Sequence, residues 1–149
     1  MTYPTTLSES LAVVGVINPE DLAFSVGDYN TVAIEMDRYN QIVAIFSVGT
    51  MAATSKATFR LTQSETSSGT YTAITDKTAV QLTQAGSDSD QQVVINLDAS
   101  EVGTTKPFVK AHLLIETADT LGGVIVLAGD ARYGPASDFD LSSVDEIIK

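Results

Sequence analysis

The chain has no cysteine and no tryptophan, a single histidine, four prolines and only eight basic residues. Each shortage closes off a class of explanation. Without cysteine there are no disulfides and no thiolate metal sites, so the fold rests on packing alone. The lack of thiols does not decide the compartment. Without tryptophan, and with five tyrosines, a sugar-stacking platform is poorly provided for. With His112 as the sole histidine, any Ser-His-Asp or Cys-His system would depend on that one residue. No Gly-x-Ser-x-Gly elbow, Walker loop, Gly-x-Gly-x-x-Gly or His-Glu-x-x-His motif occurs. Eight bases against 19 acids give a formal charge of −11, spread along the chain rather than packed into one run. Affinity for phosphate needs clustered Lys and Arg, so neither nucleic acid nor an anionic membrane is expected as a partner. The acidity favours solubility and keeps unassembled copies apart.

Long hydrophobic runs are also missing. The apolar stretch Leu11 to Ile17 is short and ends at Asn18-Pro19. It is too short for a transmembrane helix, and the ten residues before it lack the basic region of a signal peptide. No Asn-x-Ser/Thr sequon is present. The expectation is synthesis in a cytoplasm without export by the standard route.

What the chain does contain is a train of short β-like segments from Gln41 to Ala131, separated by Ser/Thr/Gly/Asp-rich turns. At 149 residues it reads as one domain large enough to bury a core without staples. Ala57, Phe59 and Leu61 alternate with Lys56, Thr58, Arg60 and Thr62. Val109, Ala111, Leu113 and Ile115 alternate with Lys110, His112 and Glu116. Such strands are half-buried. Ile42 to Phe46 and Val124 to Leu127 are apolar on both faces, as in strands covered on both sides or strands whose outer face meets another subunit. Turns fall at Ser67-Ser68-Gly69, Ala85 to Asp88 and Val102-Gly103-Thr104, and Thr120 to Gly123 reads as a hairpin closing onto the strand that ends near Glu116.

With segments near Leu11–Ile17, Thr31–Met36 and Thr70–Ile74, the total is about eight or nine strands, which suits a two-sheet sandwich of jelly-roll type. The predicted fold is therefore all-β: an extended N-terminal arm over residues 1–10, a sandwich over 11–135 and a C-terminal tail over 136–149. Phe59, Leu61, Ile95, Leu97, Leu113, Ile115, Ile125 and Leu127 form the predicted core. No internal repeat is present.

Candidate chemistry is sparse. His112 lies mid-strand beside Lys110 with no nucleophile near it in sequence, and reads as a surface strand histidine. Asp88 and Asp90 alternate as in a Ca²⁺ loop, but the sixth and twelfth positions counted from Asp88 are Val93 and Ala99 instead of glycine and glutamate. A solvated turn is the better reading, and a site completed by distant residues stays open. Paired carboxylates could hydrolyse glycosides across a cleft, a separation that sequence spacing does not define. No cofactor and no catalytic residue is assigned. The tail is less bland: Phe139, Leu141, Val144, Ile147 and Ile148 are apolar and need burial, and Ser143 to Glu146 fits a capping box ahead of a short helix. Folding back on its own sandwich and docking on a neighbour are both open to it.

The run Ile42-Val-Ala-Ile-Phe-Ser-Val-Gly-Thr-Met51, the strand Ala57 to Gln63, Val94 to Asp98 and the ending Leu127 to Pro135 resemble the small auxiliary capsid proteins of tailed bacteriophages, the decoration, cement or head-stabilisation proteins. The resemblance covers residues 28–135 and is one of pattern. It implies a jelly-roll or similar sandwich, often trimeric, bound to the major capsid protein on the outside of an icosahedral shell. That would place the protein on the virion exterior as a non-enzymatic structural component. Tyr3 and Pro4 of the arm, and Phe139, Leu141, Val144, Ile147 and Ile148 of the tail, are the expected partner contacts. A glycan- or receptor-binding module of a phage tail or fibre is the alternative, and a carboxylate hydrolase the most distant one.

Overall fold

The structure is a computed structural model and describes residues 6–19, 25–79 and 81–148. Tyr3 and Pro4 lie outside the described residues. The molecule is an all-β sandwich of two antiparallel sheets. One sheet has the order β1 (Leu11–Ile17), β10 (Thr120–Ala131), β4 (Tyr39–Met51), β8 (Gln92–Asp98). The other has the order β2 (Gly27–Asn30), β9 (Phe108–Glu116), β5 (Lys56–Ser64), β6 (Thr72–Thr78). Two short strands, β3 (Ile34–Glu35) and β7 (Leu82–Thr83), join the second sheet on β9 and β5. Leaving those two aside, first pairs with last, second with next to last, and so inward: β1 with β10, β2 with β9, β4 with β8, β5 with β6. That is one long antiparallel ribbon rolled up, the wrapping of a jelly roll.

The core lies between the sheets around Phe46 and Phe59, whose ring centroids are 4.9 Å apart. Both rings are fully buried, and small residues make room for them, with Ala44, Ala57, Ala111 and Ala128 each wholly enclosed. Phe59, Leu61, Ile95, Leu97, Leu113 and Ile115 are buried as expected. Ile125 and Leu127 are not core residues. In β10 the inward parity belongs to Val124, Val126 and Ala128, while Ile125 is 49% exposed and Leu127 half-buried on the outer face. A run apolar at both parities carries no period-2 signal, and the register that sets Val124 opposite Phe46 is fixed only by the pairing of β10 with β4. Gly15 marks a similarly close approach, since a Cβ there would sit 3.0 Å from Val126 Cγ2.

Three further expectations change. Residues Leu7–Ser10 form a single helical turn instead of extended chain, with Glu9 accepting the Thr6 N–H at 2.9 Å. Thr120 to Gly123 closes no hairpin. β9 is already flanked by β2 and β5, so the chain turns at Thr117, in left-handed conformation at φ 75°, and β10 enters the opposite sheet between β1 and β4. Ser143 to Glu146 forms no helix. A 3-10 turn over Ala136–Phe139 precedes it, and the segment beyond turns at Leu141, whose carbonyl accepts the Val144 N–H at 2.9 Å.

Candidate functional site

The two outer faces of the sandwich differ in chemistry. No lysine or arginine occurs in β1, β4, β8 or β10, and their acids are Asp98 and Asp130, near strand ends. In register across that sheet stand Val16, Ile125, Ile45 and Val94, one from each strand. The next row is Val13, Leu127 and Val43. The first row is open to solvent at its centre and edge, with Ile125 at 49% and Val94 at 57% exposure. Leu121 extends the apolar surface beyond it. Alternation sends every second residue outward, so β4 and β10, which read as covered on both sides or as meeting another subunit, present aliphatic side chains to the outside.

The tail crosses this face. Asp140 Oδ1 accepts the Val13 N–H at 2.6 Å, and the Leu141 N–H donates to the Val13 carbonyl at 2.9 Å. β1 is an edge strand, and the two bonds satisfy backbone groups that an edge leaves unpaired. Phe139 packs edge-on against Tyr39, centroids 6.0 Å apart, with the Arg38 guanidinium over its ring at 5.4 Å. Burial raises the Tyr39 hydroxyl above its ordinary pKa. Val144 and Ile147 line a hollow with Leu7, Leu11, Val13 and Leu127. Ile148 is 86% exposed. The structure thus divides the tail at β1: Phe139 and Leu141 lie beside Val14, Ile34 and Phe108 at the open side between the sheets, Val144 and Ile147 lie by the outer face, with Ile147 still 41% exposed, and Ile148 stands outside.

Past Val144 the described residues leave a groove of about 580 Å³ between Val16, Ile45, Leu121 and Ile125, with Gly49, Gly122 and Gly123 in its lining. Among the described residues that line it, none is charged. Sequence reasoning placed Ile45 and Ile125 in two-faced apolar strands but missed Val16 and Val94, because the cross-strand row exists only once the register is known.

The other sheet turns Lys56, Arg60, Lys110 and His112 outward. His112 is on the expected polar face yet only 6% exposed. Arg60 donates its Nε–H to His112 Nδ1 at 3.0 Å, which leaves the proton on Nε2, facing Asp28 Oδ1 at 3.2 Å. Burial, and then the Arg60 charge, lower the His112 pKa against a smaller opposing effect of Asp28. At the sandwich side, Lys77 Nζ reaches the Asn96 carbonyl on the free edge of β8 and Glu101 Oε2, both at 2.8 Å. Glu101 is held below the usual carboxylate range by the Asp98 N–H and by Lys77, and Asp98 by its hydrogen bonds from Ser100. Asp88 accepts the Thr83 N–H at 2.9 Å and Asp90 donates its N–H to the Gly49 carbonyl at 3.2 Å. Among the described residues no cluster of three or more His, Asp or Glu side chains is placed to hold a metal, and no helix is long and apolar enough to cross a membrane.

No protein-family model matches the chain, and no curated protein matches it. Among solved structures, the chain is similar to one described as the infectious bursal disease virus Gt strain, at TM-score 0.46 and 8% identity over 85% of this chain and 33% of that one. A structure of the Gx strain of the same virus follows at TM-score 0.38 and 12% identity, over 86% of this chain and 30% of that one. The chain spans about a third of the length of these neighbours. Similarity this weak carries no inference about function.

Proposed function

We propose that this protein is a structural virion component that binds the outer surface of a phage capsid through the outer face of its four-stranded sheet and stabilises the shell. The observation that carries the reading is the uncharged, aliphatic, partly uncovered face of a sandwich whose other side is polar. Exposed contiguous apolar surface of this kind marks interaction sites in globular proteins. The pattern resemblance to decoration proteins supports the capsid as the surface in question, the major capsid protein as the partner, and a homotrimer as the bound form. On this reading the protein acts by holding and not by catalysis.

The test is cosedimentation of the purified chain with undecorated capsids of the cognate phage, with a glycan array run in parallel. Saturable capsid binding, lost in Ile125→Glu and kept in Thr58→Glu on the opposite sheet, supports the reading. Glycan binding without capsid binding would replace it with a receptor-recognition role.

A further inference from the structure

We infer that the uncovered groove on the four-stranded sheet takes an extended apolar segment of another protein, flanked by lysine or arginine, and not a second copy of this chain. The inference rests on the proposed reading of that face as the attachment surface and names what sits in it. Two observations carry it.

The first is that the protein already shows the mode of binding on itself. From Asp140 on, its tail runs along the edge of the same face without helical structure, fixes its backbone to Val13, and sets Val144 and Ile147 beside Leu11, Val13 and Leu127. The groove begins at Val144, shares Val13 and Val144 with the hollow that the tail lines, and has the same aliphatic chemistry in its next row, Val16, Ile125 and Ile45. A second extended segment alongside the tail would continue the arrangement. Gly49 and Gly123 admit the close approach of Leu121 and of Ile17 with Pro19, so these apolar residues form the wall of the groove.

The second is charge. The interior of the groove is neutral, but its approaches are acidic. Asp145 and Glu146, both exposed, follow the lining residues Ser143 and Val144. Asp119, also exposed, lies two residues before Leu121, and Asp90 is hydrogen-bonded to the Gly49 carbonyl. No basic residue occurs in the four strands behind it. Two copies meeting through this face would bring acidic rims together, whereas a segment with basic flanks meets complementary charge, which raises its on-rate and excludes like-charged competitors.

The full-length chain would be titrated, by isotope-edited NMR, with a short peptide of alternating valine and threonine between paired lysines, and with its twin between paired glutamates. The expected result is saturable shifts at Val16, Ile45 and Ile125 for the lysine peptide, with affinity about tenfold weaker or worse for the glutamate peptide. Ile125→Glu, at a position exposed enough to tolerate charge, should abolish the shifts. Asp145→Lys with Glu146→Lys should narrow the gap between the peptides. Equal affinity for the two peptides, shifts confined to other surfaces, or no binding would overturn the inference. So would sedimentation showing that the chain self-associates through this face and that Ile125→Glu abolishes the self-association. Capsid attachment that survives Ile125→Glu would instead defeat the reading of the face itself.

Discussion

The His112 ring lies against Arg60, whose Nε is 3.0 Å from Nδ1 and whose Nη2 is 3.3 Å from Nε2, with Asp28 also facing Nε2 at 3.2 Å. Arg60 holds Nδ1 as an acceptor, Asp28 faces Nε2, and the neutral ring suits both. Burial disfavours the charged ring, and protonation would also place a second positive charge against Arg60, which is why the pKa falls below its ordinary value. A base whose pKa is lower in the folded state contributes stability that is fully present above its unfolded value, about 6.5. That stability is lost as pH falls from there through the folded value, because the unfolded chain takes up the proton first. The urea midpoint should therefore be lower at pH 5.5 than at pH 7.5, and His112→Gln should flatten the difference. As the only histidine, His112 can be titrated as a single NMR resonance, and a pKa at or above the unfolded value would refute the account. Side-chain parity in β9 and in β10 makes a second residue-scale prediction. Leu113→Ala, in the filled interior, should cost about 2–5 kcal/mol, while Ile125→Thr on the outer face should stay within about 0.5 kcal/mol. Equal losses in denaturant titrations would mean that Ile125 is enclosed in solution. The His112 environment was not legible in the sequence, since Arg60 and Asp28 reach it only through the pairing of β2, β9 and β5.

The tail and β1 illustrate what an element adds to its residues. A sandwich edge strand exposes N–H and C=O groups to any passing strand, and coverage by a loop is one remedy. Here the cover is residues 140–144, anchored at Val13, where the ladder between β1 and β10 shifts register and leaves an extra residue before Gly15. Removing the carboxylate acceptor in Asp140→Ala should speed hydrogen exchange at the Val13 amide and cost about 1–2 kcal/mol, the range of a bond to a charged group at a partly open site. Asp140→Asn, which keeps an acceptor oxygen, should retain most of the protection. Unchanged exchange in the alanine variant would mean the tail does not hold this edge. The apolar residues of the tail were readable as needing burial, because five of them fall in a terminal segment too short to hide them by itself. Asp140 gave no such signal: an isolated acid in an acidic tail looks like any other until a backbone N–H is found beside it. Strand existence was legible wherever alternation was clean, as in β5 and β9, and ambiguous in β4 and β10, where both parities are aliphatic. That ambiguity is itself the mark of the candidate face, since only a sheet whose outer side meets something other than water has reason to carry valine and isoleucine there.

For the whole molecule, the ribbon topology joins the ends of the described chain. β10 lies between β1 and β4, so the four-stranded sheet has no centre until the last strand arrives. The sequence announced many strands at regular spacing, and hence a sandwich, but the inter-sheet arch at Thr117 resembles a hairpin turn in composition, and nothing local tells the two apart. Charge is the other property that belongs to the molecule as a unit. With −11 spread over a domain of this size, self-repulsion opposes both the compact state and the meeting of copies. Added salt shortens the screening length from about 10 Å at 0.1 M to about 3 Å at 1 M. It should then act with opposite sign on different processes. The midpoint of unfolding in urea, an uncharged denaturant, should rise with sodium chloride. Any trimer should also strengthen, as measured by analytical ultracentrifugation. Binding to a partner with basic flanks should weaken over the same range, because there the screened interaction is an attraction. Sedimentation and capsid pull-down on one salt series separate the two. If self-association and attachment both strengthen with salt, the acidic rim plays no part in attachment and apolar contact alone drives it. If stability itself falls with salt, the charges of the folded chain are arranged favourably, and the net repulsion inferred from composition is outweighed by local pairs such as Lys77 with Glu101.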